Sequence, residues 1–85
     1  MKKTWTFNAD NIKRKLEEMI KELGEDCEYI EINTEVKKDI ERSNCNFIVN
    51  NYRIKINDLL HDRAIRATGL TGSITRSIID CITKG

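Results

Sequence analysis

The stretch NADNIKRKLEEMIKELG, from Asn8 to Gly24, constrains the fold more than any other part of the chain. Ile12, Leu16, Met19, Ile20 and Leu23 recur at helical spacing and form one apolar stripe on a helix of about four turns. Asn8 or Asp10 can cap its start, and Gly24 supplies a left-handed stop. Such a stripe must be laid on a second layer, and the flanking segments supply strands. KTWTF alternates Thr4 and Thr6 with Trp5 and Phe7, and DCEYIEIN sets Ile30 and Ile32 on one side. Strand, helix, strand at this length predicts a right-handed crossover between two parallel strands.

Further along, TEVKKDIERS is expected to form a short helix capped by Thr34, with Val36 and Ile40 inward. In CNFIVNNYRIKIN, a two-residue turn at Asn50 and Asn51 would gather Cys45, Phe47, Val49, Tyr52, Ile54 and Ile56 on one hairpin face. Asn46, Arg53, Lys55 and Asn57 would then lie on the other face. NDLLHDRAIRATG reads as a helix capped by Asn57 or Asp58 and stopped at Gly69. TGSITRSIIDCITKG reads as another, with Ile74, Ile78, Cys81 and Ile82 on one stripe. Its β-branched residues are poor helix formers, so packing would have to hold it.

The expected fold class is therefore α+β. A small mixed three- to four-stranded sheet, in the element order β-α-β-(α)-β-β-α-α, carries helices packed on one face. With 85 residues and no internal repeat or linker, residues 1–85 are expected to be a single small globular domain. At this size roughly 60% of the unfolded surface can be buried, which leaves stability marginal.

Composition narrows the chemistry. Cys27, Cys45 and Cys81 are three widely spaced cysteines without a CxxC, which fits reduced thiols rather than a disulfide framework or a zinc site. No metal or other cofactor is implied. The longest apolar runs fall far short of the ~20 residues of a membrane span, and MKKTWTFNAD lacks the apolar core of a secretory signal. A cytoplasmic protein without membrane contact is the expectation. The bias toward Ile, Lys, Asn and Glu, with no proline, resembles AT-rich coding sequence of low-GC bacteria and their mobile elements.

Net charge is +1, but it is unevenly placed. From Glu25 to Glu41 seven acids face two lysines (−5), and from Arg42 onward seven bases face three acids (+4). The acids Glu25, Asp26, Glu28, Glu31 and Glu35 are candidates for an acidic face that binds a basic partner, imitating a row of phosphates.

The stretch RAIRATGLTGSITRSI, Arg63 to Ile78, resembles the general helix-turn-helix pattern over about twenty residues. A small residue and a hydrophobe precede a Gly69-Leu70 turn, and Thr71 or Ser73 begins a second helix carrying Arg76. It departs from the pattern at bulky Ile65, four before the turn glycine, and in the short spacing from Gly69 to Ile74. The resemblance implies DNA contacts through Arg63, Arg66, Ser73, Arg76 and Ser77. The same residues also suit a packed helical hairpin, or an anion site where Gly72 and Ser73 open a helix.

His61, beside Asp62, is the lone histidine, and no nucleophile motif accompanies it, so Asp62 reads as the i,i+4 partner of Arg66. Trp5, Phe7, Phe47 and Tyr52 read as core rather than as a stacking platform. No enzyme is expected. The expected function is a binding protein that occupies a macromolecular partner, as an inhibitor or modulator of a host nucleic-acid-handling system carried by a phage or mobile element. A protein partner through the acidic face stands first, and direct nucleic-acid binding through the helix-turn-helix-like segment 58–83 is the alternative. A homodimer is compatible with either.

Overall fold

In the computed structural model, which describes residues 5–84, the elements run β1 (Trp5–Phe7), α1 (Ala9–Leu23), β2 (Tyr29–Ile32), α2 (Thr34–Arg42) and α3 (Phe47–Asn51). They continue with β3 (Ile54–Ile56), β4 (Ala64–Thr68), β5 (Ser73–Ser77), a 3-10 turn at Ile79–Cys81 and β6 (Ile82–Lys84). The class is α+β, as expected. The main sheet has four strands in the order β3-β2-β4-β5, with β2 and β3 parallel and the other pairs antiparallel.

The first helix forms as its sequence dictates. Asn8 accepts the Asn11 N–H at 3.0 Å, and Gly24 ends the helix at φ 73°. Ile12, Leu16 and Met19 are fully buried against Ile30, Ile65 and Ala67 of the sheet. Burial of side chains this size stabilises by about 1.5–3 kcal/mol each.

β1 does not lie beside β2; it pairs antiparallel with β6 in a separate two-stranded ribbon. The parallel crossover runs instead from β2 through α2 and α3 to β3. The cap of α2 is Asn33, not Thr34. Its side-chain oxygen accepts the Val36 N–H at 2.8 Å, and its amide donates to the Leu60 carbonyl at 3.1 Å. Thr34 donates through both N–H and hydroxyl to Asp58, each at 2.8 Å, which also takes Asp58 away from capping a later helix.

The hairpin at Asn50 and Asn51 is replaced by α3. The asparagine that takes positive φ is Asn44, at 58°, so the chain breaks after α2 rather than in the middle of the segment. Cys45 and Ile48 then share an i,i+3 spacing and are both fully buried, while Val49 is exposed. Only the second half of the expected hairpin survives as a strand, with Ile54 and Ile56 on one side and Lys55 on the other.

The two C-terminal helices are also absent: Ala64–Thr68 and Ser73–Ser77 form an antiparallel hairpin. The ambiguity lies in the spacing. Ile74, Ile78 and Ile82 sit four apart, which fits a helical stripe and also the period of two of a strand. β-Branched content and the alternation of buried Ile65 and Ala67 suit the strand, and antiparallel pairing of β4 with β2 fixes it. Without a helix, Asp62 and Arg66 are not i,i+4 partners; Arg66 reaches Glu31 and Thr75 instead.

Candidate functional site

Strand alternation divides the sheet into two chemically different faces. Ile30, Ile32, Ile54, Ile65, Ala67 and Ile74 point toward the helices and the core. The opposite face is covered by no described element, and register sets its side chains in rows across the four strands.

One row runs Lys55, Glu31, Arg66, Thr75, from β3 through β2 and β4 to β5. The next holds Tyr29, Thr68 and Ser73, with Arg53 beside Tyr29 by continuation of the β3 register. Beyond the first row stand Ala64 and Ser77, with Asn57 just past the end of β3.

The rows are linked by polar contacts. The Glu31 carboxylate accepts from Asn57 at 2.9 Å and from the Thr68 hydroxyl at 3.4 Å, and lies 3.7 Å from the Arg66 guanidinium. Arg66 Nε donates to the Thr75 hydroxyl at 3.0 Å. Lys55 Nζ stands 4.0 Å from the centre of the Tyr29 ring, a cation–π contact. Arg53, Lys55 and Arg66 thus share the open face with one carboxylate, Glu31, an aromatic ring on a central strand and hydroxyls on β4 and β5.

The residues singled out for DNA contact divide between the faces. Arg66, Ser73 and Ser77 lie on the open face, whereas Arg76, opposite Ile65, points to the helix side and binds Glu22 of α1 at 2.8 Å. Arg63 precedes β4, its carbonyl accepting the Ile78 N–H at 2.7 Å. No recognition helix exists to present these residues together. Gly72 and Ser73 open a strand, so the helix dipole invoked for an anion site is missing too.

The acidic residues fall on three elements. Glu25, Asp26 and Glu28 lie in the connection between α1 and β2, Glu31 on the open face, and Glu35 in the first turn of α2. Glu25 binds the tip of the β4–β5 hairpin, accepting the Thr71 N–H at 3.1 Å and the Thr71 hydroxyl. That hydroxyl bond holds the Glu25 carboxyl below its usual range. Gly69 admits this approach, since a Cβ there would stand 2.6 Å from the Glu25 carboxylate.

Phe7 is buried and Phe47 and Tyr52 are half-buried against the core, while the Trp5 side chain lies outside the described residues. Tyr29, the aromatic residue on the open face, was not among the sequence candidates, although strand alternation carries the signal. With Ile30 and Ile32 assigned inward, Tyr29 and Glu31 had to point outward. His61 is exposed, its Nδ1 3.3 Å from Asp62 and accepting the Arg63 N–H at 3.1 Å.

On the helix side, a groove of about 550 Å³ runs beside α1, lined by Lys15, Glu18, Met19, Lys21, Glu22 and Arg76. Two of its cations are held internally, Lys15 by Asp80 at 2.9 Å and Arg76 by Glu22. Among the described residues no cluster of His, Cys, Asp or Glu is arranged to hold a metal ion, and no helix is long and apolar enough to cross a membrane. Compared with protein-family models, with curated proteins and with solved structures, the chain matches none.

Proposed function

We propose that the protein binds single-stranded nucleic acid across the open face of its four-stranded sheet. The observation that carries this reading is the surplus of Arg53, Lys55 and Arg66 over Glu31 on a face whose central strand presents Tyr29. Cations there neutralise phosphates, and an aromatic ring stacks on a base of any identity. Lys55, resting on the Tyr29 ring, can turn to a phosphate and free the ring for a base.

Size favours a single strand over a duplex. Three inter-strand spacings make the sheet roughly 14 Å wide before side chains are added. The major groove is only about 12 Å wide and admits a helix or a two-stranded ribbon. A strand with splayed bases can instead lie across the rows.

The acidic residues are a weaker basis for the expected protein partner. Glu31 faces Arg66, Glu25 is engaged by Thr71, and Glu28 and Glu35 flank opposite ends of β2. The test is a fluorescence titration with single-stranded RNA and DNA oligonucleotides against a duplex of the same sequence. Single strands should bind more tightly than duplex, and Tyr29→Ala should weaken binding by about 5- to 150-fold, the worth of one stacked base. Tyr29→Phe should retain it. Tighter binding to duplex, or indifference to Tyr29→Ala, would overturn the reading.

A further inference from the structure

Among the described residues no strand pairs with the outer edge of β5, and the hydrogen bonds of the hairpin fix which of its backbone groups face outward. Gly69 N–H donates to the Gly72 carbonyl at 2.9 Å, and Ile78 N–H to the Arg63 carbonyl at 2.7 Å. In an antiparallel ladder bonded pairs recur at every second residue, so Ile74 and Arg76 direct their N–H and C=O toward β4. Ser73, Thr75 and Ser77 direct theirs away from it. The Thr75 carbonyl accepts the Arg76 guanidinium at 3.1 Å, a contact that a new strand would replace.

From this edge we infer that the protein forms a two-fold dimer in which β5 pairs antiparallel with β5 of a second copy, making one continuous eight-stranded sheet. A second copy is the occupant because the strand is complementary to itself. An axis through Thr75 sets Thr75 opposite its own copy and Ser73 opposite Ser77, so every outward N–H meets an outward C=O, for roughly six new hydrogen bonds. The side chains that meet on the open face are all hydroxyls, and Thr–Thr and Thr–Ser cross-strand pairs are favourable.

The strand carries no charge on its open face and no proline, and the one charge on its helix side, Arg76, is held by Glu22 at 2.8 Å. The same axis brings Leu70, 83% exposed, to the end of the strand where Ile79 of the other copy stands, 59% exposed. Both ends of the interface thus cover an apolar side chain. On the helix side the rim carries Lys21 and Arg76 with Glu18 and Glu22, so the copies meet mixed charge rather than like charge.

Pairing does not depend on nucleic acid, but it joins the two open faces edge to edge. The experiment needs only the protein: sedimentation equilibrium from micromolar to millimolar concentration, with amide exchange followed by NMR. The expected mass rises from 9.9 kDa toward twice that value. With it, the Ser73, Thr75 and Ser77 amides should gain protection, while Ile74 and Arg76 stay protected throughout. Thr75→Pro removes one outward N–H, no backbone bond to β4 and only the exposed hydroxyl that accepts from Arg66, and it should remain monomeric with a cooperative melt. If that variant fails to fold, amide exchange in the unaltered chain still decides. A monomer at millimolar concentration, or a dimer whose Ser73, Thr75 and Ser77 amides exchange freely, would overturn the inference.

Discussion

Asn33 should be a costly polar side chain to remove, because two buried links depend on it. Its oxygen caps α2 through the Val36 N–H at 2.8 Å, and its amide satisfies the Leu60 carbonyl at 3.1 Å. Asn33 is 7% exposed and Leu60 9%, so water is poorly placed to replace either bond. Loss of an N-cap costs about 1 kcal/mol, and a buried acceptor left unpaired about 1–3 kcal/mol. Asn33→Ala should therefore destabilise by about 3 kcal/mol, a large part of the 5–15 kcal/mol typical of small domains. Asn33→Ser keeps the cap and orphans Leu60, for about 2 kcal/mol. Thr34→Ala, which the sequence alone would make the cap mutation, removes only an exposed hydroxyl bond to Asp58 and should cost about 0.5–1 kcal/mol. Urea unfolding at constant m-value gives the three differences, and the Asn33→Ala melt should fall by roughly 12–24 °C. An Asn33→Ala loss within about 0.5 kcal/mol, or a larger loss for Thr34→Ala, would refute the reasoning.

Two further predictions concern acid and thiols. The Glu25 carboxyl is held below its ordinary range by Thr71, so its contribution is present above that range and is lost as pH falls through the lowered folded value. Glu25→Gln, and Gly69→Ala by displacing the carboxylate, should flatten the acid limb of stability in urea titrations at successive pH values; an unchanged limb would contradict the clamp. Burial pushes all three thiols up, Cys81 to about 11, so Ellman's reagent should react slowly with the native protein and fast in denaturant, with half-buried Cys27 modified first. Rapid native modification of Cys45 or Cys81 would contradict that packing.

The first half of the chain was more legible than the second for a physical reason. Between Asn8 and Gly24 a cap, a stripe and a stop agree on one structure, and each appears as expected. Beyond Cys45 the local signals conflict. Phe47 to Asn51 alternates weakly enough to suit a strand, yet positive φ at Asn44 turns it into a helix that buries Ile48. Arg63 to Ile78 carries glycines that suit either a turn between helices or a hairpin, and isoleucines four apart that suit both periods. Long-range pairing with β2 settles the choice, and no local window contains it. The candidate face was hidden for the same reason. Arg53, Lys55, Tyr29 and Arg66 come from three separate strands, and only the register of β2 with β3 and β4 makes them neighbours.

The central claim is that three cations on one sheet face bind the phosphates of a single strand, and salt dependence tests it most directly. With three phosphate contacts, log K against log salt should fall with a slope of about −2, roughly a twentyfold loss from 50 to 200 mM. Arg66→Ala should reduce the slope to about −1.4 and the loss to roughly sevenfold, whereas Lys13→Ala, on the exposed side of α1, should leave both unchanged. No binding at low salt, or a slope that Arg66→Ala does not alter, would contradict the account.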